Sequence, residues 1–402
     1  MSPARLMLFA AAAACAAEPF RHDTDLFEAG TNGYAHYRVP AIVVSPRGRV
    51  MAFTEARRSA RGDWGPQDIL MRRSRDGGRT WDSARAVARV DGDIPPNPVA
   101  LAQGLDKPGD VTYNNFVPIA DFRRKTMHFV FCAEYARCYY MQSTDDGDTF
   151  SPARDITPAF EEFRRNYGWK VIAAGPGHGI QLRSGRLLVP VWLSDGTGGH
   201  AHRPSIVSVI YSDDRGQTWR RGDVVVRHPE LTNPSETVAV ELSSGVVALN
   251  IRSESSEHRR AVSISKDGAH GWSRPEFQSE LLEPVCMASM IRYSPRGRDT
   301  RSRILFANPH SGEPRDPSRP LGNHKRQNVS VKLSYDEGKT WPVSRVLEPG
   351  PSGYTDLAVG PDGTIYCIYE SGAVSGSDTY IKAITVARFN LEWLTQGKRD
   401  GD

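Results

Sequence analysis

Ser74-Arg75-Asp76-Gly77-Gly78-Arg79-Thr80-Trp81 is the stretch whose reading decides the fold, because the chain repeats it. The pattern Ser-x-Asp-x-Gly-x-Thr-Trp returns at Ser143 (STDDGDTF), Ser212 (SDDRGQTW), Ser265 (SKDGAHGW, degenerate) and Ser334 (SYDEGKTW), with starts 69, 69, 53 and 69 residues apart. One octamer would say little, since Asp and Gly favour any turn. Five over most of the chain are a structural repeat. In each, the Asp accepts local backbone N–H bonds, the Gly permits a positive φ, and the aromatic residue packs back beneath a turn joining two strands. The boxes are therefore structural and carry no catalytic role.

A repeat of about 50 to 70 residues fits one four-stranded antiparallel sheet, and a ring of such sheets is a β-propeller. Five boxed units and an unboxed one over Tyr354 to Leu394 predict an all-β, six-bladed β-propeller of four-stranded antiparallel sheets. No linker or composition break divides it, so residues 18–402 are expected to form a single domain.

Composition agrees. The 402 residues include 36 Gly and 28 Pro, with 8 Trp, 14 Tyr and 14 Phe, which suits many tight turns between short aromatic strands. The formal net charge is only +4 and no Lys/Arg tract is long enough for a phosphate-binding stripe, so nucleic acid is not expected as a partner.

Met1 to Ala17 has the plan of a signal peptide: Arg5, an apolar run from Leu6 to Ala14, and the small residues Cys15-Ala16-Ala17. Export, secreted or periplasmic, is the expectation. Lipid modification of Cys15 is a second possibility, although Ala12 stands where such signals usually carry Leu. No later stretch is long and apolar enough to predict a membrane span. Cys132, Cys138, Cys286 and Cys367 show no zinc spacing. Cys132 and Cys138 could face each other across a hairpin; buried free thiols are the reading taken. His200-Ala201-His202 is read as a strand or loop feature rather than a ligand pair, and neither metal nor cofactor is expected.

Strand bookkeeping then gathers polar residues on one rim. Antiparallel strands place the start of a unit's first strand, the end of its second and the start of its third together, opposite the boxes. In the first unit Tyr37–Val44, Val50–Thr54 and Ile69–Ser74 put Arg38, Arg57 and Asp63 there. Later units add Glu236 and Arg252 around strands 237–242 and 246–251, Arg326 before strand 329–334, and Tyr354 and Glu370 around strands 357–359 and 365–369. Arginines gathered on one rim suit an anionic ligand held by its carboxylate, because the guanidinium fork meets a carboxylate bidentately.

With these residues in view, the sequence resembles the exo-α-sialidases, glycoside hydrolases of the bacterial and animal neuraminidase type. The resemblance runs from about Tyr34 to Leu394. It rests on Tyr37-Arg38-Val39-Pro40, the five octamers, Gly175-Pro176-Gly177-His178-Gly179-Ile180-Gln181-Leu182, and the segment Glu236 to Arg252. It implies a carboxylate-binding triad of Arg38, Arg252 and Arg326, although Arg315, Arg319 and Lys325 lie near the third. Glu370 would orient the first arginine, Arg57 would contact the 4-hydroxyl side of the sugar, and Asp63 would be the acid/base. Tyr354 and Glu236 would be the nucleophile and its base.

Asn115, with Asn114 and Phe116, falls in the unit expected to hold the acyl-amino group. The implied partners are sialylated glycans, glycoproteins or glycolipids.

A tyrosine nucleophile makes physical sense, because the substrate would carry a carboxylate on the anomeric carbon. An Asp or Glu approaching to about 4 Å would meet roughly 4 kcal/mol of repulsion at an effective dielectric near 20, which is on the order of a thousandfold in rate. A neutral phenol escapes that repulsion but needs a base.

Two departures are Thr355, where many relatives have Ser, and the fourth box, which lacks its Thr. Alternative readings are trans-sialylation, hydrolysis of a related nonulosonic acid, and a propeller of this box type that only binds partners. Trp64, Trp169 and Trp192 could stack on sugars or belong to the core.

Overall fold

Four of the five boxes close through the same side-chain bonds. Ser74 Oγ donates to Asp76 Oδ1 at 2.8 Å and accepts from the Gly78 amide at 2.7 Å, while Asp76 Oδ1 accepts from the Thr80 amide at 2.9 Å. Boxes at Ser143, Ser212 and Ser334 repeat this pattern. In the degenerate fourth box the turn is tighter. Ser265 Oγ accepts from Gly268, and Asp267 Oδ1 accepts from the Ala269 and His270 amides.

A computed structural model describes residues 17–59, 62–293, 302–312, 325–374 and 380–397. Nearly all of the leader read at the N-terminus, with Cys15, and the alternatives Arg315 and Arg319 lie outside them.

The described strands are antiparallel in each named sheet and arranged as a propeller. One four-stranded sheet holds His36–Val44, Val50–Arg57, Gln67–Ser74 and Arg85–Ala86; the next holds Tyr113–Asp121, Thr126–Ala133, Arg137–Ser143 and Arg154–Asp155. A six-stranded sheet is built on Val171–Ala174, Leu187–Ser194 and Ser205–Ser212, and a four-stranded one on Thr237–Glu241, Val247–Ile251, Arg259–Ser265 and Glu276–Leu282. The core is a succession of clusters between neighbouring sheets. Phe53 packs with Phe129, Val130 with Ile172, Leu188 with Leu249, and Val240 with Phe306. Phe27 and Val44 pack with Ile384 and join first sheet to last.

The expectation of six separate four-stranded sheets is corrected here. Hydrogen bonding among the described residues gives five sheets, because one is seven-stranded. Its central strand, Val343–Val359, is 17 residues long. The N-terminal half pairs with Gln327–Ser334 and the C-terminal half with Ile365–Ser371. The outer strand of one four-strand group thus runs on as the inner strand of the next. The other edge of this sheet is Arg21–Glu28, paired with Ala383–Phe389.

Candidate active site

The two ends of the first sheet show how the chain separates turns from chemistry. Val50 pairs with Ser74, where a box begins, and seven residues on Arg57 pairs with Gln67 at the opposite end. Bulges at this second end re-aim the inner strands. Register shifts fall between Arg38 and Ala41, between Asn114 and Val117, and between Ser352 and Thr355. Val39 and Asn115 take positive φ there, at 54° and 55°. The shifts bring Arg38, Asn115 and Tyr354 onto one cavity of about 280 Å³, which Asp63, Glu236, Arg252 and Arg326 also line.

At its floor the Tyr354 hydroxyl donates to Glu236 Oε1. Arg252 Nη1 donates both to Glu236 Oε2 and, at 3.0 Å, to the Tyr354 oxygen. Backbone bonds between Ser235 and Arg252, and between Arg252 and Glu236, fasten the strand ends that carry the acid and the guanidinium. The guanidinium carbons of Arg38 and Arg326 lie 5.5 and 5.2 Å from the Tyr354 ring centroid. Burial and the neighbouring Glu236 raise the phenol above its ordinary range, with Arg252 and Arg326 opposing, so the resting tyrosine is neutral.

Glu370 fixes Arg38 and the tyrosine backbone together. Its Oε1 accepts from Arg38 Nε at 2.6 Å and from the Val39 amide at 3.1 Å, and its Oε2 accepts from the Tyr354 amide at 3.1 Å. A Cβ on Gly353 would collide with this carboxylate, so the glycine is required. Burial works to raise Glu370, but Arg38 outweighs it and the carboxyl is held below its usual range. Arg326 donates to the Val285 carbonyl at 2.6 Å.

On the opposite wall Arg57 lies buried within its strand, bonded to Glu55 at 2.7 Å, and reaches Asp63 Oδ1 at 3.1 Å. Asp63 is the open member of the set, its side chain 44% exposed. Desolvation works to raise its pKa, yet the neighbouring arginines, Arg57 foremost, hold it below the carboxylate range. The Asn115 backbone amide donates to Glu55 Oε1 at 3.0 Å. Asn114 is fully buried, and Phe116 packs on Phe53 at 4.7 Å in the core rather than facing the cavity.

All nine residues expected at the site belong to this assembly, seven of them lining the cavity and Arg57 and Glu370 holding residues that do. Sequence reasoning missed Glu55, Tyr135, His200, His202, Arg203, Asn233 and Glu254. Glu55 had a local signal, two places before Arg57 on the same strand face. The others sit in the turn 134–136 and the loops 195–204, 228–236 and 252–258. Trp64, Trp169 and Trp192 are all buried, and only Trp192 lines the cavity. Cys132 and Cys138 face each other in register and are free, buried thiols.

His178, in the Gly-Pro-Gly-His stretch, meets Asp356 at 2.7 Å, and Asp356 also accepts from the Ile42 amide and Ser289 Oγ. That cluster ties sheets together. A larger cavity of about 860 Å³ surrounds Val44, Arg183, Leu242 and Gly363 at the box end, and no expected site residue lines it.

The fold and the site together define a box-repeat propeller whose box-free rim holds a tyrosine–glutamate pair among arginines. Residues 112–367 match the BNR repeat-like domain, and the chain belongs to that family. It is 32% identical over 397 residues to a sialidase of Micromonospora viridifaciens, covering 94% of this chain and 55% of that protein. To sialidase-3 of Rattus norvegicus it is 26% identical, covering 86% of this chain and 90% of that protein. Among solved structures, Hadza microbial sialidase Hz136 superposes with a TM-score of 0.73 at 24% identity, over 92% of this chain and 69% of that one. The chain spans 55% and 61% of the length of the sialidases of Micromonospora viridifaciens and Bacteroides fragilis that it matches. No helix among the described residues is long and apolar enough to cross a membrane.

Proposed function

We propose that this protein is an exo-α-sialidase that removes terminal α-linked sialic acids from glycans, glycoproteins or glycolipids, with retention at the anomeric carbon. The observation that carries the reading is the Tyr354 hydroxyl bonded to Glu236 beside Arg252, in a cavity that Arg38 and Arg326 also line. Arg38, Arg252 and Arg326 bind the substrate carboxylate. Tyr354 Oη attacks the anomeric carbon as Glu236 takes its proton, and the positive charge of Arg252, already on both oxygens, stabilises the phenolate character that develops. Asp63 donates a proton to the departing glycosidic oxygen. In the second half, Asp63 takes a proton from water as that water attacks the tyrosyl-bound carbon, and Glu236 returns the proton to the leaving phenol.

Asp63 is charged in the resting site, so it must gain a proton before it acts. The bound carboxylate favours this by offsetting the arginine field that keeps Asp63 ionised. Asn115 completes the sugar-binding wall, and Arg57 behind it holds Asp63. Residues 1–17 direct export, and residues 18–402 form one catalytic propeller.

The test is hydrolysis of a fluorogenic aryl sialoside, with NMR of the first sugar product. The proposal expects turnover releasing the α-anomer first, and a loss of at least about a hundredfold in Asp63→Ala on a sialyl-lactose substrate. Initial release of the β-anomer would overturn the retaining mechanism. No turnover with any sialoside would favour a propeller that only binds.

A further inference from the structure

The imidazole of His202 stands beside the exposed carboxylate of the rim, and none of the steps above uses it. Its Nδ1 is 3.9 Å from Asp63 Oδ2, the oxygen that Arg57 leaves free. Trp64, the next residue in the chain after Asp63, packs on the same ring with centroids 4.7 Å apart and planes inclined by 32°. Tyr135 at 5.1 Å and Trp192 at 5.0 Å complete an aromatic cage, and Trp64, Tyr135 and Trp192 are all buried. His200 adds its ring at 5.2 Å and accepts the His202 amide at 3.1 Å, which braces the loop.

Building on the sialidase reading, we propose that His202 is the positioning residue of the acid/base, holding Asp63 Oδ2 toward the glycosidic oxygen while Arg57 holds Oδ1. Burial in the cage pushes the imidazole down to about 3, against the pull of Asp63, so the ring is neutral at working pH. A neutral imidazole carries one N–H. Among the described residues Nε2 is buried without a hydrogen-bond partner, and a bare Nδ1 lone pair would face a carboxylate, so the proton belongs on Nδ1. Asp63 is then steered without being paired to a second full charge. A second cation there would hold the carboxylate ionised and oppose proton donation.

A residue that only supports the fold would, when replaced, slow all substrates alike. One that positions the acid matters where the leaving group needs a proton. His202→Phe, which keeps an aromatic ring in the cage, is expected to lower kcat/KM roughly tenfold to a hundredfold on sialyl-lactose, but less than about threefold on a 4-nitrophenyl sialoside. His202→Asn, whose amide can supply the N–H, is expected to recover part of the loss. Equal losses on the two substrates, or none on either, would overturn the proposal.

The ¹⁵N shifts of His202 give a readout that needs no turnover. The proposal expects the Nδ1-protonated pattern, changed in Asp63→Asn; an Nε2-protonated ring indifferent to Asp63 would overturn it. An inactive wild type that showed the expected shifts would overturn the hydrolase reading and leave the His202–Asp63 contact supported.

Discussion

Asp63 and Glu370 are both acids beside arginines, and their surroundings set them different tasks. The first is half open to solvent and bonded to Arg57; the second is buried between Arg38 and two backbone amides. If protonated Asp63 is the acid, kcat/KM falls as pH rises through its free-enzyme pKa, which Arg57 depresses. Removing that positive charge must raise the pKa. Arg57→Gln is therefore expected to shift the basic limb of the pH–kcat/KM profile upward, by about one unit, even as overall activity falls. A downward shift would be inconsistent with this assignment.

For Glu370 the linkage has the opposite look. Its folded pKa is depressed, so its stabilisation is present above the ordinary carboxylate range and is lost as pH falls through the folded value. Glu370→Gln should cost about 3 kcal/mol in urea unfolding at neutral pH, and the gap from wild type should shrink in acid. It should also raise KM, since Arg38 loses its anchor.

At the scale of elements, the boxes divide stability from catalysis. Ser143 is buried and its hydroxyl serves both Asp145 at 2.8 Å and the Gly147 amide at 2.7 Å. Ser143→Ala leaves that amide unpaired and should cost about 1–2 kcal/mol, read by urea denaturation, with kcat and KM unchanged. The site end of the same strands is built from bulges, and there sequence reading had less to hold. The boxes were legible because every bond in them spans at most five residues. Arg38, Arg252 and Arg326 were legible because they stand at or within a few residues of strand ends. Phe116 was not, because the bulge between Asn114 and Val117 turns it onto Phe53. His202 was not, because its neighbours Trp64, Tyr135 and Trp192 come from three distant segments.

The whole molecule explains the misread sheet count. Pro349-Gly350-Pro351 would ordinarily end a strand, since Pro gives no ladder donor. In the structure it is a passage within Val343–Val359, where the strand leaves one partner and joins another. Closure is equally non-local. Phe27 is 1% exposed on the strand that pairs with Ala383–Phe389, and it meets Tyr37 of the first sheet at 5.3 Å. Phe27→Ala should lower stability by about 3–5 kcal/mol in denaturant unfolding while sparing the residues of the rim.

That closure brings Tyr354 of the last strand group against Glu236 and Arg252 from the fourth sheet. The central claim is that Tyr354 bonds to the sugar. Its most direct test is to trap the intermediate with a fluorinated sialosyl fluoride, digest the protein and locate the added mass. The account predicts the adduct on Tyr354 and none in Tyr354→Phe; an adduct on Glu236 or Asp63 would contradict it.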